Sequence, residues 1–308
     1  MKSPKSSKQF LLKYFKPVKP EKELHKESFD FDLEDNLGHL MFQRESNSLF
    51  MSRFDSDNIM ELLETVNLTD HLRSQGFDNF QIRIDKDESL INYLKVYHEN
   101  KDPQNLLIDL RLSETKFVPE KRFFEEGKDI ETLDMVVIEW LSARHPYKEF
   151  GPQRPQLPGQ EKPGLGCLNH LMELMYHVGS KVFKDGFMDV PDHFHGAVMY
   201  SKKFRFFNPS HEAILRAMLR DLNQYSLVEL SWGMITETII ESNSGRPQIY
   251  DPSEQIFPLS KFMHDYFESK KYKEKFNQVY KQKKYYFDYD TMLKRKEELL
   301  QEKKPEEL

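Results

Sequence analysis

The groups in this sequence with types and spacing suited to chemistry fall mostly between Glu139 and Phe207. The stretch from Gln153 to Gly166 carries glycines at 159, 164 and 166 among prolines at 155, 158 and 163, and an apolar-striped helix follows from about Cys167. Glycines let a backbone approach a ligand closely, and a helix start offers free N–H groups and the positive end of its dipole. Together they outline an anion site, most often one for phosphate. Glu139, inside the apolar run 135–141, is a candidate general base if it is buried, because burial raises a carboxyl pKa toward neutrality. The alternative is a carboxylate turned outward from a half-buried strand; Asp109, between Ile108 and Leu110, has the same two readings.

His193 and His195, beside Asp192, form a His-x-His pair. Such a pair chelates from a strand, where i and i+2 share a face. Here the pattern puts both at the start of a helix, where they diverge, and no second cluster has ligand spacing. No metal is expected, and either imidazole is free to act as a base or touch substrate. Cys167 at the helix start would have its thiol pKa lowered by the dipole. With no Asp or His partner visible, a small buried thiol is the other outcome.

The elements that would position these residues can be read from periodicity. Residues 1–28 are rich in Lys, Ser and Pro without a period and read as a flexible basic arm. Ser48–Phe54 alternates as a short strand. A helix capped by Asp55 or Ser56 follows, with Ile59, Leu62, Leu63 and Val66 on one face, then a short helix from Thr69 to Gln75 stopped by Gly76. Phe80–Ile84, Ser89–Tyr97 and Leu106–Leu112 read as an antiparallel meander, the second with a helical alternative. Residues 133–141 are a buried strand or a core helix, which periodicity does not separate. The helix after Gly166 has its apolar stripe at 168, 171, 172, 175, 178 and 182 and ends at Asp185-Gly186. An apolar segment at 186–190 precedes a second helix, about 191–203, with Asp192 where an N-cap belongs. Beyond Phe207, a helix starts at Asn208-Pro-Ser210, Leu227–Ile240 reads as β-rich, and Phe257–Phe267 and Tyr272–Gln282 read as helices. A charged tail, helical or disordered, closes the chain from 291 to 308.

Composition bounds the function classes. The 308 residues include 38% hydrophobic, 31% charged and 13% aromatic side chains, which suits a globular chain with a substantial core. No run approaches eighteen apolar residues, so no membrane span is expected. A single cysteine excludes an intrachain disulfide and fits a reducing, cytoplasmic setting. Residues 1–26 hold eight Lys against two Glu, and residues 270–308 hold twelve Lys and Arg against eight Asp and Glu. With −6 overall, the intervening chain carries about −16, and so acidic a body argues against nucleic acid as partner.

In order, strand, two helices, three strands, glycine loop, helix, strand, helix and strand resemble the GNAT acyltransferase superfamily. Its signature, Gln/Arg-x-x-Gly-x-Gly/Ala opening a helix, is similar to Gln160-Glu-Lys-Pro-Gly164-Leu-Gly166, which has one extra residue before the first glycine. The superfamily's later Asn-x-x-x-Ala-x-Leu-Tyr stretch resembles His193-Phe-His-Gly-Ala197-Val-Met-Tyr200. His193 replaces the usual Asn, and Phe-Arg-Phe replaces the closing Gly-Phe. The Leu157-Pro-Gly-Gln-x-x-Pro-Gly-Leu-Gly166 loop also looks like that of a group of uncharacterised bacterial proteins distantly similar to the superfamily. The resemblance covers about 48–207, and some fifty residues separate Leu112 from Gly164 unless 135–141 form the strand before the loop.

The resemblance implies an α/β fold: a mixed, mostly antiparallel sheet flanked by helices, with a helical C-terminal extension. The implied organisation is a domain over 29–207 with an insertion at about 114–163, then an extension over 208–290 packed on it. The implied activity is an acyl-CoA-dependent N-acyltransferase, with acetyl-CoA or another acyl-CoA as cosubstrate and a small-molecule or protein amine as acceptor. Gln160, Gly164, Leu165, Gly166, Cys167 and Leu168 would bind the cofactor, with the amides from Leu165 to Leu168 on the pyrophosphate. Tyr200 would protonate the leaving thiolate, since a phenol near pKa ~10 stays protonated at neutral pH, and Glu139 or one of His193 and His195 would serve as base. A core tyrosine and a non-catalytic GNAT-like module that binds a ligand or protein are the alternatives.

Overall fold

The computed structural model describes residues 15–17, 49–124, 132–152 and 154–308. Its centre is a mixed sheet of eight strands. β1 (Phe15–Pro17), β2 (Gln81–Lys86), β3 (Asn92–Tyr97), β4 (Leu106–Phe117), β5 (Leu133–Ala143), β6 (Gly186–Asp189), β7 (Arg205–Phe206) and β10 (Gln255–Pro258) line up as β2-β3-β4-β5-β6-β10-β7, with β1 paired to the end of β4. Every pairing is antiparallel except β5–β6. The fold is therefore α/β, with a mostly antiparallel sheet flanked by helices, as expected.

Burial explains which strands were legible. In β2 only Ile82 and Ile84 are buried, so alternation is clear. In β5, Leu133 and Met135 through Ile138 are all buried because both faces are covered, which erases the period. Val136 and Ile138 join one apolar cluster with α3 (Leu168–Val182), whereas Leu133, Met135 and Val137 join another with Phe207 and Tyr266. Residues 133–143 are thus the strand that precedes the glycine loop.

The early helices follow their caps. α1 (Ser56–Thr65) is capped by Asp55, which accepts from Asn58 N at 2.8 Å. α2 (Leu68–Arg73) ends before Gly76, whose φ of +90° suits glycine. Within the expected strand Ser48–Phe54, of which Ser48 lies outside the described residues, residues 49–54 form a turn instead: Met51 and Ser52 take left-handed φ of 53° and 57°, and Phe50 bridges to Phe54. α3 ends at Val182, with Phe183 left-handed, rather than at Asp185-Gly186. Gly186 instead opens β6, where a Cβ would meet Phe257 O at 2.7 Å.

Of the N-terminal arm, only Phe15–Pro17 fall among the described residues; the remainder of 1–28 lies outside them. The chain beyond Phe207 forms α5 (Pro209–Asp221), α6 (Leu227–Ile235), α7 (Lys261–Glu268), α8 (Lys270–Gln282) and α9 (Tyr289–Glu302), with a small sheet of β8 (Ile239–Glu241), β9 (Arg246–Pro247) and β11 (Tyr285–Phe287). Two expectations fail here. Leu227–Ile235 is helical because Ser226 and Glu229 form a capping box ahead of it, so only Ile239–Glu241 extends. Gln255–Pro258 is a strand between β6 and β7, so the helix expected from Phe257 begins at Lys261. Among the described residues no helix is long and apolar enough to cross a membrane.

Candidate functional site

β5 and β6 run parallel for only three register pairs, Met135–Gly186, Val136–Phe187 and Val137–Met188, and then part. Two local features drive them apart. β5 carries a bulge: Leu112 faces Ile138 and Arg111 faces Trp140, so Glu139 is the extra residue. A bulge bends its strand and re-aims the side chains beside it. β6 ends at Asp189, and Pro191 leads the chain into α4 (Phe194–Tyr200). The opening is a cleft of about 520 Å³ lined by residues of both strands, of the turn and of α4.

The cleft has two differently furnished sides. Phe187 packs in the cluster with α3, and Met188 in the opposite one. Strand alternation therefore puts Asp189 on the helix face, where Tyr200 also packs. Arg111 lies two positions on from Ser113 along the face that ends in Phe117, on the other side. There Tyr93, Arg111 and Trp140 form one cross-strand row, with the guanidinium 5.5 Å from the Tyr93 ring and 5.7 Å from that of Trp140. Both sides reach the same gap between β5 and β6.

Asp189 is the carboxylate that the sequence reading missed. Burial pushes its pKa up to about 8, the nearby charges of Asp192 and Glu139 push the same way, and the Val190 backbone amide opposes them. Such a group takes and returns a proton near neutrality. A short β6 with one polar residue at its end, before Pro191, was its available signal. Glu139 also lines the cleft, but it is only partly buried and accepts a 2.6 Å hydrogen bond from Ser113 Oγ. Asp109 is held by Arg111 at 2.6 Å, a structural ion pair rather than an available base.

The structure brings Tyr200, His193 and His195 to the same cleft. Burial, with Asp189 nearby, holds the Tyr200 phenol well above its usual pKa, so it is protonated. Burial and then His193 push His195 down to about 4, so it is neutral at physiological pH. His193, not Asp192, is the N-cap of α4; it is extended, and its ring sits 5.2 Å from that of His195 rather than diverging. His193 Nε2 lies 3.3 Å from the Leu308 carbonyl. Gly159 packs onto the same imidazole: a Cβ there would sit 2.5 Å from His193 Nε2. Among the described residues no group of three or more His, Cys, Asp and Glu could hold a metal ion.

The glycine loop is docked on the end of β5. Gly164 bridges to Arg144, His145 N donates to Pro163 O at 2.8 Å, and Leu165 N donates to Ala143 O at 3.0 Å. Leu165 is thus not a free donor, and its carbonyl is taken by His71 and Gln75 at 2.9 Å. Gln160 is tied into its own turn, where its carbonyl accepts from Gln156 Nε2 at 2.7 Å. Cys167 is buried as the N-cap of α3, and burial pushes its thiol up to about 12, overriding the dipole and excluding a ready thiolate. Among the described residues no backbone hydrogen bond is donated by the amides of Gly166 and Leu168, and the Cys167 amide faces its own thiol. None of the six loop residues lines the cleft, but Ala143, which holds the loop, stands two residues beyond Leu141, which does. At ~3.3 Å per strand residue the two features are about 7 Å apart along β5.

No protein-family model matches the chain, and no curated protein compared with it is detectably similar.

Proposed function

We propose that the protein is an acyl-CoA-dependent N-acyltransferase, a distant relative of the GNAT superfamily acting in a reducing, cytoplasmic compartment. The observation that carries this reading is the cleft where β5 and β6 part, with a proton-accepting carboxylate, Asp189, and a protonated phenol, Tyr200, on the same side. The acceptor amine enters beside Asp189 against Glu139 and Asp192, which favour a cation at the mouth. Asp189, once ionised, takes the ammonium proton; the free amine nitrogen then attacks the thioester carbonyl, forming the C–N bond. Collapse of the tetrahedral adduct breaks the C–S bond; Tyr200 gives its proton to the departing thiolate, and its phenolate takes back the surplus proton of the newly bonded nitrogen. The products are the amide and free coenzyme A. The amides of Gly166, Cys167 and Leu168, at the positive end of α3, would hold the pyrophosphate.

Calorimetric titration with acetyl-CoA tests the reading. Saturable binding is expected for the wild type. Gly164→Glu, where a Cβ has room at 3.6 Å from Ala143 O, should abolish it by setting a carboxylate against the pyrophosphate. No wild-type binding, or equal binding by both, contradicts the reading.

The second reading, a non-catalytic module that binds a ligand or protein, is favoured by the Leu165 amide being already bonded and by the loop standing outside the cleft lining. Binding of an amine without any binding of acetyl-CoA would select it.

A further inference from the structure

The helix-facing wall of the cleft is backed by a residue from far along the chain. β10 lies against β6 with Gln255 directly opposite Asp189. Residues facing each other across an antiparallel pair share a face, with Cβ atoms about 4.5–5.5 Å apart. Gln255 is fully buried at 0% exposure. Its amide orientation is fixed, because Nε2 donates to Ala197 O of α4 at 3.1 Å. Its side-chain oxygen Oε1 therefore points away from that bond and is buried without a partner among the described residues. Buried carbonyls are rarely left so, since an unmet acceptor loses its hydration for nothing in return. A carboxylate cannot meet it, having no proton to give; a carboxylic acid can.

We propose that Gln255 is a positioning residue for Asp189, its side-chain carbonyl accepting the proton of the Asp189 carboxylic acid, so that β10 holds the site's proton in place until an acceptor binds. The inference refines the acyltransferase reading, in which Asp189 is the base, but the hydrogen bond itself does not depend on that chemistry. A hydrogen bond to the neutral form of a carboxyl favours that form. Of the other groups lining or flanking the cleft, most push in the same direction or are uncharged, and the cation is engaged elsewhere. Glu139 on β5 and Asp192 in the turn add negative charge, and Tyr200 on α4 and Tyr250 ahead of β10 are protonated phenols. His195 on α4 is neutral, and His193 is turned to the Leu308 carbonyl. Arg111, the cation in the cleft lining, is engaged by Asp109, two residues away on β4. Gln255 thus selects which of the three clustered carboxyls carries the proton.

The test is an infrared titration of the protein labelled with ¹³C at the aspartate side-chain carboxyl. A protonated-carboxyl band at pH 7 that is absent from Asp189→Asn is expected, with its midpoint in the wild type near 8. Gln255→Met, which keeps the length and removes the acceptor, should lower that midpoint by about one unit, a tenfold fall in proton affinity. If Gln255→Met does not fold, Gln255→Asn withdraws the same carbonyl by one methylene and should lower the midpoint in the same direction. An Asp189 already ionised at pH 7 in the wild type, or a midpoint unmoved by the Gln255 variant, overturns the proposal. Neither outcome touches acetyl-CoA binding, so the two readings fail separately. Where turnover is measurable, the acid limb of the rate profile should shift with the infrared midpoint, which a purely structural glutamine would leave in place.

Discussion

At the scale of single residues, the account turns on where protons sit. Asp189, pushed up to about 8, is mostly protonated at neutral pH, so as a base it gains strength as pH rises. Acyl transfer should therefore climb through pH 7 and level off above about 8. Asp189→Asn should abolish that limb and cost ~10²–10⁴ in turnover, the range usual for a lost general base. Steady-state rates across pH check both statements, and an unchanged profile in the variant would remove Asp189 from the chemistry. His195 makes an independent stability prediction. Its folded-state pKa is depressed to about 4 from 6.5, so the unfolded chain binds a proton that the folded one refuses. Stability from this group is full above 6.5 and is lost as pH falls toward 4. Replacing it by Gln should flatten the acid loss by on the order of 1 kcal/mol, after allowance for its partial contact with solvent. Denaturant unfolding at pH 7 and pH 4.5 measures the difference, and an equal loss in both proteins would contradict it.

At the scale of elements, the cleft exists because two parallel strands stay together for three pairs and no more. Gly186 sets that junction. A Cβ there would meet the Phe257 carbonyl at 2.7 Å, Ile256 at 3.1 Å and Met135 at 3.3 Å, on both sides at once. Gly186→Ala should destabilise the fold by about 1–3 kcal/mol through overpacking, read as a lower urea midpoint with unchanged slope. A neutral substitution would mean that β6 and β10 are free to separate. The same junction shows what could be read in advance. β2, β3 and the amphipathic α3 were legible because each is buried mainly on one side and so keeps a period. β5 was not, since it is covered on both faces. The Leu227 helix was misread because its apolar run hides the period, although Ser226 and Glu229 carried its start signal. Cys167 was misplaced on one branch of its reading because the dipole acts on a thiol that burial controls more strongly. Asp189 had only the weak signal of a polar residue closing a short apolar strand, and Gln255 had none: their joint role arises from a pairing between positions 66 apart.

At the scale of the whole molecule, the chain after Phe207 does more than cover the sheet. β10 lies between β6 and β7, and α7 supplies Met263, Tyr266 and Phe267 to the core on the far face. Tyr250 and Gln255 reach the cleft wall from the same stretch, with Tyr250 Oη donating to Pro191 O at 2.7 Å. A chain ended after Ser244 would leave β6 and β7 as unpaired edges and bare that core. It should lose its near-ultraviolet dichroism and elute as aggregate, and a compact monomer with intact dichroism would show that residues 1–244 fold alone. A crystal structure of the protein with coenzyme A decides whether the opening between β5 and β6 is its binding site. The account predicts the pyrophosphate on the amides of Gly166, Cys167 and Leu168, the pantetheine arm in the gap between the strands and the sulfur within hydrogen-bond reach of Tyr200 Oη. Coenzyme A bound elsewhere, or a cleft empty at saturating coenzyme A, would contradict it.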